Sequence, residues 1–208
     1  MRRKDIDQPG MGNPATNSKT MKIETIEIAG LAGALTALRL PFGKEVRSSI
    51  KTDNYWNDGM DRPTAIWHNE TDIELDPYDE ILMQTLVKRG DEHAKVVRGI
   101  MVWARIKAPV YFTRELETYR AGRERLSSSS TMHQECQGLS GEELQRAKAE
   151  LPMGTEQDFV DVYSYQTLRR IVAQRHNHRL PEWHTFIDWV RTLPFAEELM
   201  LVGLETEE

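Results

Sequence analysis

Residues 99–108, GIMVWARIKA, most narrow the folds open to this chain. Ile100, Val102, Ala104 and Ile106 alternate with Met101, Trp103, Arg105 and Lys107, the period of a strand with one face against a core. Pro109 then opens VYFTRELETYRAG, which reads as a helix ending at Gly122. A second strand is expected at KIETIEI, residues 22–28, followed by a helix carrying Leu31, Leu35 and Leu38 that stops before Pro41. Residues 42–75 show no period and are expected to form a long loop with short strands. Asp76-Pro77 starts a helix with Ile81, Leu82, Leu86 and Val87 on its apolar face, and Gly90 ends it.

The second half reads as helical. Ser140 with Glu143 is a capping-box pair for a short helix, and Thr155 with Asp158 starts a longer one through Phe159, Val162, Tyr163, Ile171 and Val172. Trp183, Phe186, Ile187 and Val190 fall at i, i+3, i+4 and i+7, and Pro194 starts a last helix. The fold class expected is α+β, or α/β, with a small sheet covered by helices and a helical C-terminal half. Trp103, Trp183, Phe186 and Trp189 supply more aromatic surface than such a helical layer needs, which suggests an oligomer.

The 208 residues suit one domain, read as 21–208, behind a polar and disordered tail at 1–20 that lacks the apolar middle of a secretory signal. No apolar run approaches the roughly 20 residues that cross a bilayer. A single cysteine, Cys136, excludes an internal disulfide and fits a reducing compartment, so the cytoplasm is expected. The net charge of −6 argues against broad nucleic-acid binding.

Two clusters stand out against that acidic balance. RERLSSSSTMHQ, residues 123–134, sets Arg123 and Arg125 before four serines and a threonine, with Arg120 just upstream. Short hydroxyls and the amides of a turn can hold a phosphate, and arginines would neutralise it. The alternative is a solvated loop whose arginines pair with Glu115, Glu117 and Glu124. RRIVAQRHNHR, residues 169–179, carries four arginines and two histidines without a carboxylate and asks for an anion. His176, His178 and His184 lack metal-ligand spacing, so no metal site is expected. Cys136 has no activating context in the sequence, and no glycine-rich dinucleotide or Walker motif is present.

Taken together, DEHAKVVRGIMVWARIKAPVYFTRELETYRAGRERLSSSSTMH and LRRIVAQRHNHRLPEWHTF resemble the flavin-dependent thymidylate synthases, in particular divergent phage-type members. The shared order spans roughly residues 79–190: a helix with a following His, a strand entering a Pro, an Arg-rich helix, a Ser-bearing turn, and a late helix with clustered Arg and His. Family members carry an RHRxxSxxxxSxRY signature after an RQ pair. Two registers fit here. Matching Arg114-Glu115 to RQ sets Tyr119-Arg120 at the end of RHR and Ser128 at the nucleotide-contacting serine; matching Arg120 to the first Arg sets Ser130 there. In both, the central His is absent and the later Arg is replaced by Ser130 or Met132.

The resemblance implies a homotetramer with FAD between subunits, stacked near the pyrimidine of dUMP, and NADPH and methylenetetrahydrofolate as co-substrates. It implies flavin contacts from His93, Tyr119, Asn177 and His178. Nucleotide contacts would come from Arg114, Glu115, Arg120, Ser128 or Ser130, and Arg175. His133 and Glu182 lie beside the two clusters without a family counterpart. Glu115 stands where the family has Gln, and a carboxylate accepts hydrogen bonds but donates none. Three functional readings follow: a flavin-dependent enzyme methylating dUMP or a related pyrimidine nucleotide, a non-catalytic nucleotide-binding or regulatory protein on the same fold, or a phage structural or assembly protein.

Overall fold

The alternation at 100–107 becomes the second strand of a four-stranded antiparallel sheet. The computed structural model describes residues 21–45, 48–54 and 68–203, so the expected tail at 1–20 lies outside the described residues. The sheet is built from β1 (Lys22–Ala29), β4 (Met101–Pro109), β6 (Glu156–Ser164) and β5 (Arg123–Ser128), adjacent in that order. Within 42–75, β2 (Ser49–Asn54) and β3 (His68–Glu74) pair as a separate antiparallel ribbon.

Val102, Ala104 and Ile106 of β4 sit opposite Tyr163, Asp161 and Phe159 of β6, and all six are buried. This face carries the core. Against it pack α1 (Leu31–Arg39), α2 (Pro77–Lys88), α3 (Val110–Leu116), α5 (Tyr165–Arg175), α6 (Pro181–Arg191) and the short α7 (Ala196–Leu199), while α4 (Gly141–Glu150) buries no residue. The other face of the sheet carries ion pairs, Arg105 with Asp158 at 2.7 Å and Lys107 with Glu156 at 3.1 Å. The architecture is thus α+β, a small sheet covered by helices, as expected.

Four local expectations are corrected. The helix expected from Thr155 through Val172 is a strand and a helix: residues 156–164 form β6, and α5 starts at 165, capped by the Ser164 side chain, which accepts from the Thr167 amide. Strand pairing on both sides, to β4 and β5, overrides the helical spacing, and the β-branched and aromatic residues of DFVDVY suit that place. The helix after Pro109 ends at Leu116 rather than Gly122, because the chain must turn at 117–122 to enter β5. Ser140 does occupy the cap position of α4, but its side chain makes no capping bond. On α2, Val87 is buried and Leu82 and Leu86 pack against the core as expected, but Ile81 is exposed and Met83 is buried in its stead.

Of the four rings that suggested an oligomer, Trp103 is half-buried and the other three lie inside this chain. Trp183 and Phe186 are fully buried, and Trp189 is buried with its indole donating to Thr25 Oγ1 at 2.9 Å. Phe112, Tyr163, Trp183, Phe186 and Trp189 form one chain of tilted and edge-on ring contacts with centroids 4.8–6.4 Å apart. These rings fill this chain's own core.

Asp161, fully buried on β6, organises the sheet's β5 edge. Its carboxylate accepts from Arg123 Nε at 2.8 Å, Arg125 Nε at 2.9 Å and the Tyr163 hydroxyl at 2.9 Å. Arg123 continues to the Leu116 carbonyl at the end of α3, and Arg125 to Glu117 at 2.8 Å. Burial, and then the Asp161 carboxylate, push the Tyr163 hydroxyl well above the usual phenol range. Removing the carboxylate leaves two guanidinium groups short of their counter-charge. Asp161→Ala is therefore expected to cost about 3–5 kcal/mol of unfolding free energy, read from urea denaturation.

Two glycines flanking the same turn should respond with opposite signs. Gly30 has φ +94°, and a Cβ there would lie 2.0 Å from the Gly99 carbonyl oxygen. Gly33 lies within α1 with open space around it. Gly30→Ala should destabilise by roughly 2–4 kcal/mol, from strain and backbone overlap together. Gly33→Ala should stabilise by about 0.5–1 kcal/mol, both read from urea midpoints.

Candidate functional site

The seam between α3, α5 and α6 gathers the polar groups that the sequence pointed to. Tyr111, Glu115 and Tyr119 follow one another at intervals of four, so the first two share a face of α3, and the turn after it carries Tyr119 onward. That face meets the last turn of α5 and the first of α6. Arg175 Nε donates to the Tyr119 hydroxyl at 2.8 Å, and its guanidinium lies 4.8 Å from the Trp183 ring centroid and 5.7 Å from that of Tyr119. Glu115 Oε2 accepts from the Trp183 indole at 2.8 Å, with Arg175 at 3.7 Å and His178 Nε2 at 3.9 Å. His178 Nδ1 accepts from the Leu180 amide at 3.1 Å, which leaves the ring proton on Nε2, facing Glu115. His184 Nε2 donates to the His178 carbonyl at 2.7 Å.

Next to this group the Tyr111 hydroxyl donates to Glu182 Oε1, while Glu182 Oε2 is buried without a partner among the described residues. Burial, and then the Glu182 carboxylate, push the Tyr111 hydroxyl up to about 12.

The other expected residues are distributed unevenly. His93 is exposed in the turn after α2. Two residues before it, Asp91 binds Arg169 at 3.2 Å and Arg170 at 2.7 Å, so the loop of His93 is clamped to α5. The hydrogen bond from Arg170 holds the Asp91 carboxyl below its usual range, against the opposing effect of burial. The arginine cluster at 169–179 is thus partly neutralised by a carboxylate 78 positions earlier in sequence. Asn177 is exposed just beyond α5. Arg114, Arg120 and Arg179 are exposed, with no side-chain partner among the described residues.

The hydroxyl run is not brought to Arg175. Arg120 precedes β5 and Ser128 ends it, about 16 Å further along the strand from Arg123. Ser128 is exposed, and Ser130 and His133 lie in the turns that follow. Three of the hydroxyls serve the chain itself. Ser129 Oγ accepts from the Asp158 amide at 3.0 Å, Ser130 Oγ accepts from the Met132 amide at 3.2 Å, and Lys148 donates to Thr131 Oγ1. Arg123 and Arg125, read as either phosphate ligands or ion-pair partners, are held by Asp161. The partners the sequence suggested for them, Glu115 and Glu124, are not used, although Glu117 does take Arg125.

Cavities of about 610 and 420 Å³ open elsewhere. The larger is lined by Lys22, Glu24, Arg105, Lys107 and Trp189 among others, and the smaller by Ser129, Glu156 and Asp158 among others. Among the described residues no cluster of His, Cys, Asp and Glu is arranged to hold a metal, and no helix is long and apolar enough to cross a membrane. Tyr111, Asp91, Asp161 and Trp183 were missed as organisers of the site. Only Tyr111 left a sequence signal, its four-residue spacing from Glu115.

Solved structures share this fold. Thymidylate Synthase X from Helicobacter pylori, solved with FAD and dUMP, aligns with 86% of this chain and 96% of its own at 12% identity and a TM-score of 0.59. A second structure of that enzyme with the same two ligands gives 86% and 97% coverage, 12% identity and a TM-score of 0.60. The UMP/dUMP methylase PolB from Streptomyces cacaoi, bound with 5-Br UMP, aligns with 87% of this chain and 93% of its own at 11% identity and a TM-score of 0.54. No family model and no curated protein sequence matches the chain. The fold implied by the sequence resemblance is therefore the fold observed.

The Tyr111–Glu182 pair makes a testable contribution to alkaline stability. An unfolded tyrosine titrates at about 10, and folding raises Tyr111 to about 12. Its stabilisation is then whole below about pH 10 and lost as pH rises through 12. Urea midpoints of the wild type should fall more steeply across that window than those of Tyr111→Phe.

Proposed function

We propose that this chain is a flavin-dependent enzyme of the thymidylate synthase X type, transferring a one-carbon unit to a pyrimidine nucleotide. The observation that carries the reading is the clamp of Asp91 on Arg169 and Arg170. It ties the loop of His93 to α5, which ends at Arg175 just before Asn177 and His178, and this supports flavin contacts shared between the two segments. The fold adds support, since relatives in shape are solved with FAD and dUMP.

The donor set fits a flavin. His93 and Asn177 are exposed, without a side-chain partner among the described residues, and His178 keeps its ring proton on Nε2. His93, Asn177 and His178 would hold FAD, with Tyr119 beside them. When bound, FAD supplies the hydride that reduces the transferred carbon, with NADPH as reductant and methylenetetrahydrofolate as carbon source.

The chain's own residues bind and orient. Arg114, Arg120 and Arg179 are free to neutralise a nucleotide phosphate, and Arg175 is held in place by Tyr119 and the Trp183 ring. Cys136 is buried, so this reading assigns no cysteine attack on the base. Arg120 lies three residues before β5 and Ser128 ends it, a separation that supports contacts to one nucleotide from two copies and so a homo-oligomer.

A second reading, a nucleotide-binding protein without redox chemistry, is favoured by one observation: Asp161 occupies both Arg123 and Arg125, leaving fewer cations at the hydroxyl run than the family signature carries.

The visible absorption spectrum of the purified protein, before and after added FAD, separates the two. Flavin bands near one per chain are expected, and a colourless protein that takes up no FAD would sink the enzymatic reading. Arg175→Ala should weaken dUMP binding by about 10-fold or more while leaving the oligomeric state unchanged, as a lost charge-assisted contact would. Loss of assembly instead would mark Arg175 as an interface residue.

A further inference from the structure

Glu115 sets a carboxylate beside Arg175 and His178. Glu115 Oε2 is fixed by the Trp183 indole at 2.8 Å, with Arg175 and His178 leaning on the same oxygen at 3.7 and 3.9 Å. Its Oε1 has no partner among the described residues, and the side chain is 39% exposed. Glu115 is therefore held at one oxygen and presents the other outward. An ionised carboxylate only accepts hydrogen bonds, and it repels a phosphate. A group set against Oε1 is favoured where it is neutral and offers a hydrogen-bond donor, as a base edge can.

Resting on the nucleotide-site reading above, we propose that Glu115 selects the base and that it favours a 4-aminopyrimidine, the cytosine type, over a 4-oxopyrimidine, the uracil type. The exocyclic amine of cytosine gives Oε1 a donor. The O4 of uracil sets a second acceptor against the carboxylate, leaving only N3–H to donate. Because that one donor remains, the discrimination is finite, about 10-fold, the size of one well-made base-edge contact.

Titration calorimetry of the full chain with dCMP, dUMP, CMP and UMP, each with and without FAD, tests this. The wild type should bind dCMP about 10-fold tighter than dUMP. Glu115→Gln, whose amide can donate to O4, should narrow or reverse that ratio. Glu115→Asp keeps the acceptor and should preserve the cytosine preference at lower affinity. Equal affinity for dCMP and dUMP, a uracil preference in the wild type, a ratio that Glu115→Gln leaves unchanged, or a preference that follows the ribose hydroxyl rather than the base overturns the assignment while leaving the nucleotide site in place. Failure of the wild type to bind any of the four overturns the site, and the assignment with it. If Glu115→Gln does not fold, the wild-type ratio and Glu115→Asp decide.

Discussion

The buried carboxylate of Asp161 is the contact through which strand order reaches the site. It sits on the strand flanked by β4 and β5, with no exposure, and draws two arginines of the neighbouring strand onto itself. A buried charge is tolerable only when it is paired and hydrogen-bonded, so the register of β5 against β6 is fixed by this demand as well as by the backbone ladder. Through Arg123 and Arg125 the same carboxylate reaches Leu116 and Glu117 at the end of α3. That helix carries Glu115, and its end leads to Tyr119, so the charge balance in the sheet helps set where the polar seam lies.

The division of the arginines has a functional consequence. Arg123 and Arg125 stabilise the sheet, Arg169 and Arg170 bind the His93 loop through Asp91, and Arg175 is braced on two aromatic rings. Arg114, Arg120 and Arg179 are exposed without a side-chain partner among the described residues, and the Glu115 carboxylate lies beside Arg175. Charge-assisted contacts gain strength when held in place before a ligand arrives, and the seam has this quality on its inner side.

Much of the fold was legible because the relevant patterns are local. Alternation marked β1 and β4, Asp76-Pro77 marked the start of α2, and the spacing of Trp183, Phe186, Ile187 and Val190 marked α6. Residues 156–164 misled because Phe159, Val162 and Tyr163 also satisfy helical spacing, and only pairing with two neighbouring strands decides between the periods. For the site, Glu115, Tyr119, Arg175 and His178 were named through the family resemblance and Glu182 for its place beside the arginine cluster, and these five do converge. The hydroxyl run was picked out by composition and does not join them, since a serine that bonds a backbone amide looks the same in sequence as one that bonds a phosphate.

By itself the sequence determined the type of most elements, the burial of the β4 face and the chemical nature of the groups available for binding. All of these follow from period, turn chemistry and side-chain inventory within short windows. Only the tertiary structure decided which arginine is spent on which carboxylate, that Asp91 answers a cluster 78 residues later, and that the indole of Trp183 holds Glu115 with one oxygen outward. Ion pairs and buried hydrogen bonds join residues distant in sequence, and their partners are chosen by packing and desolvation, which no local pattern records.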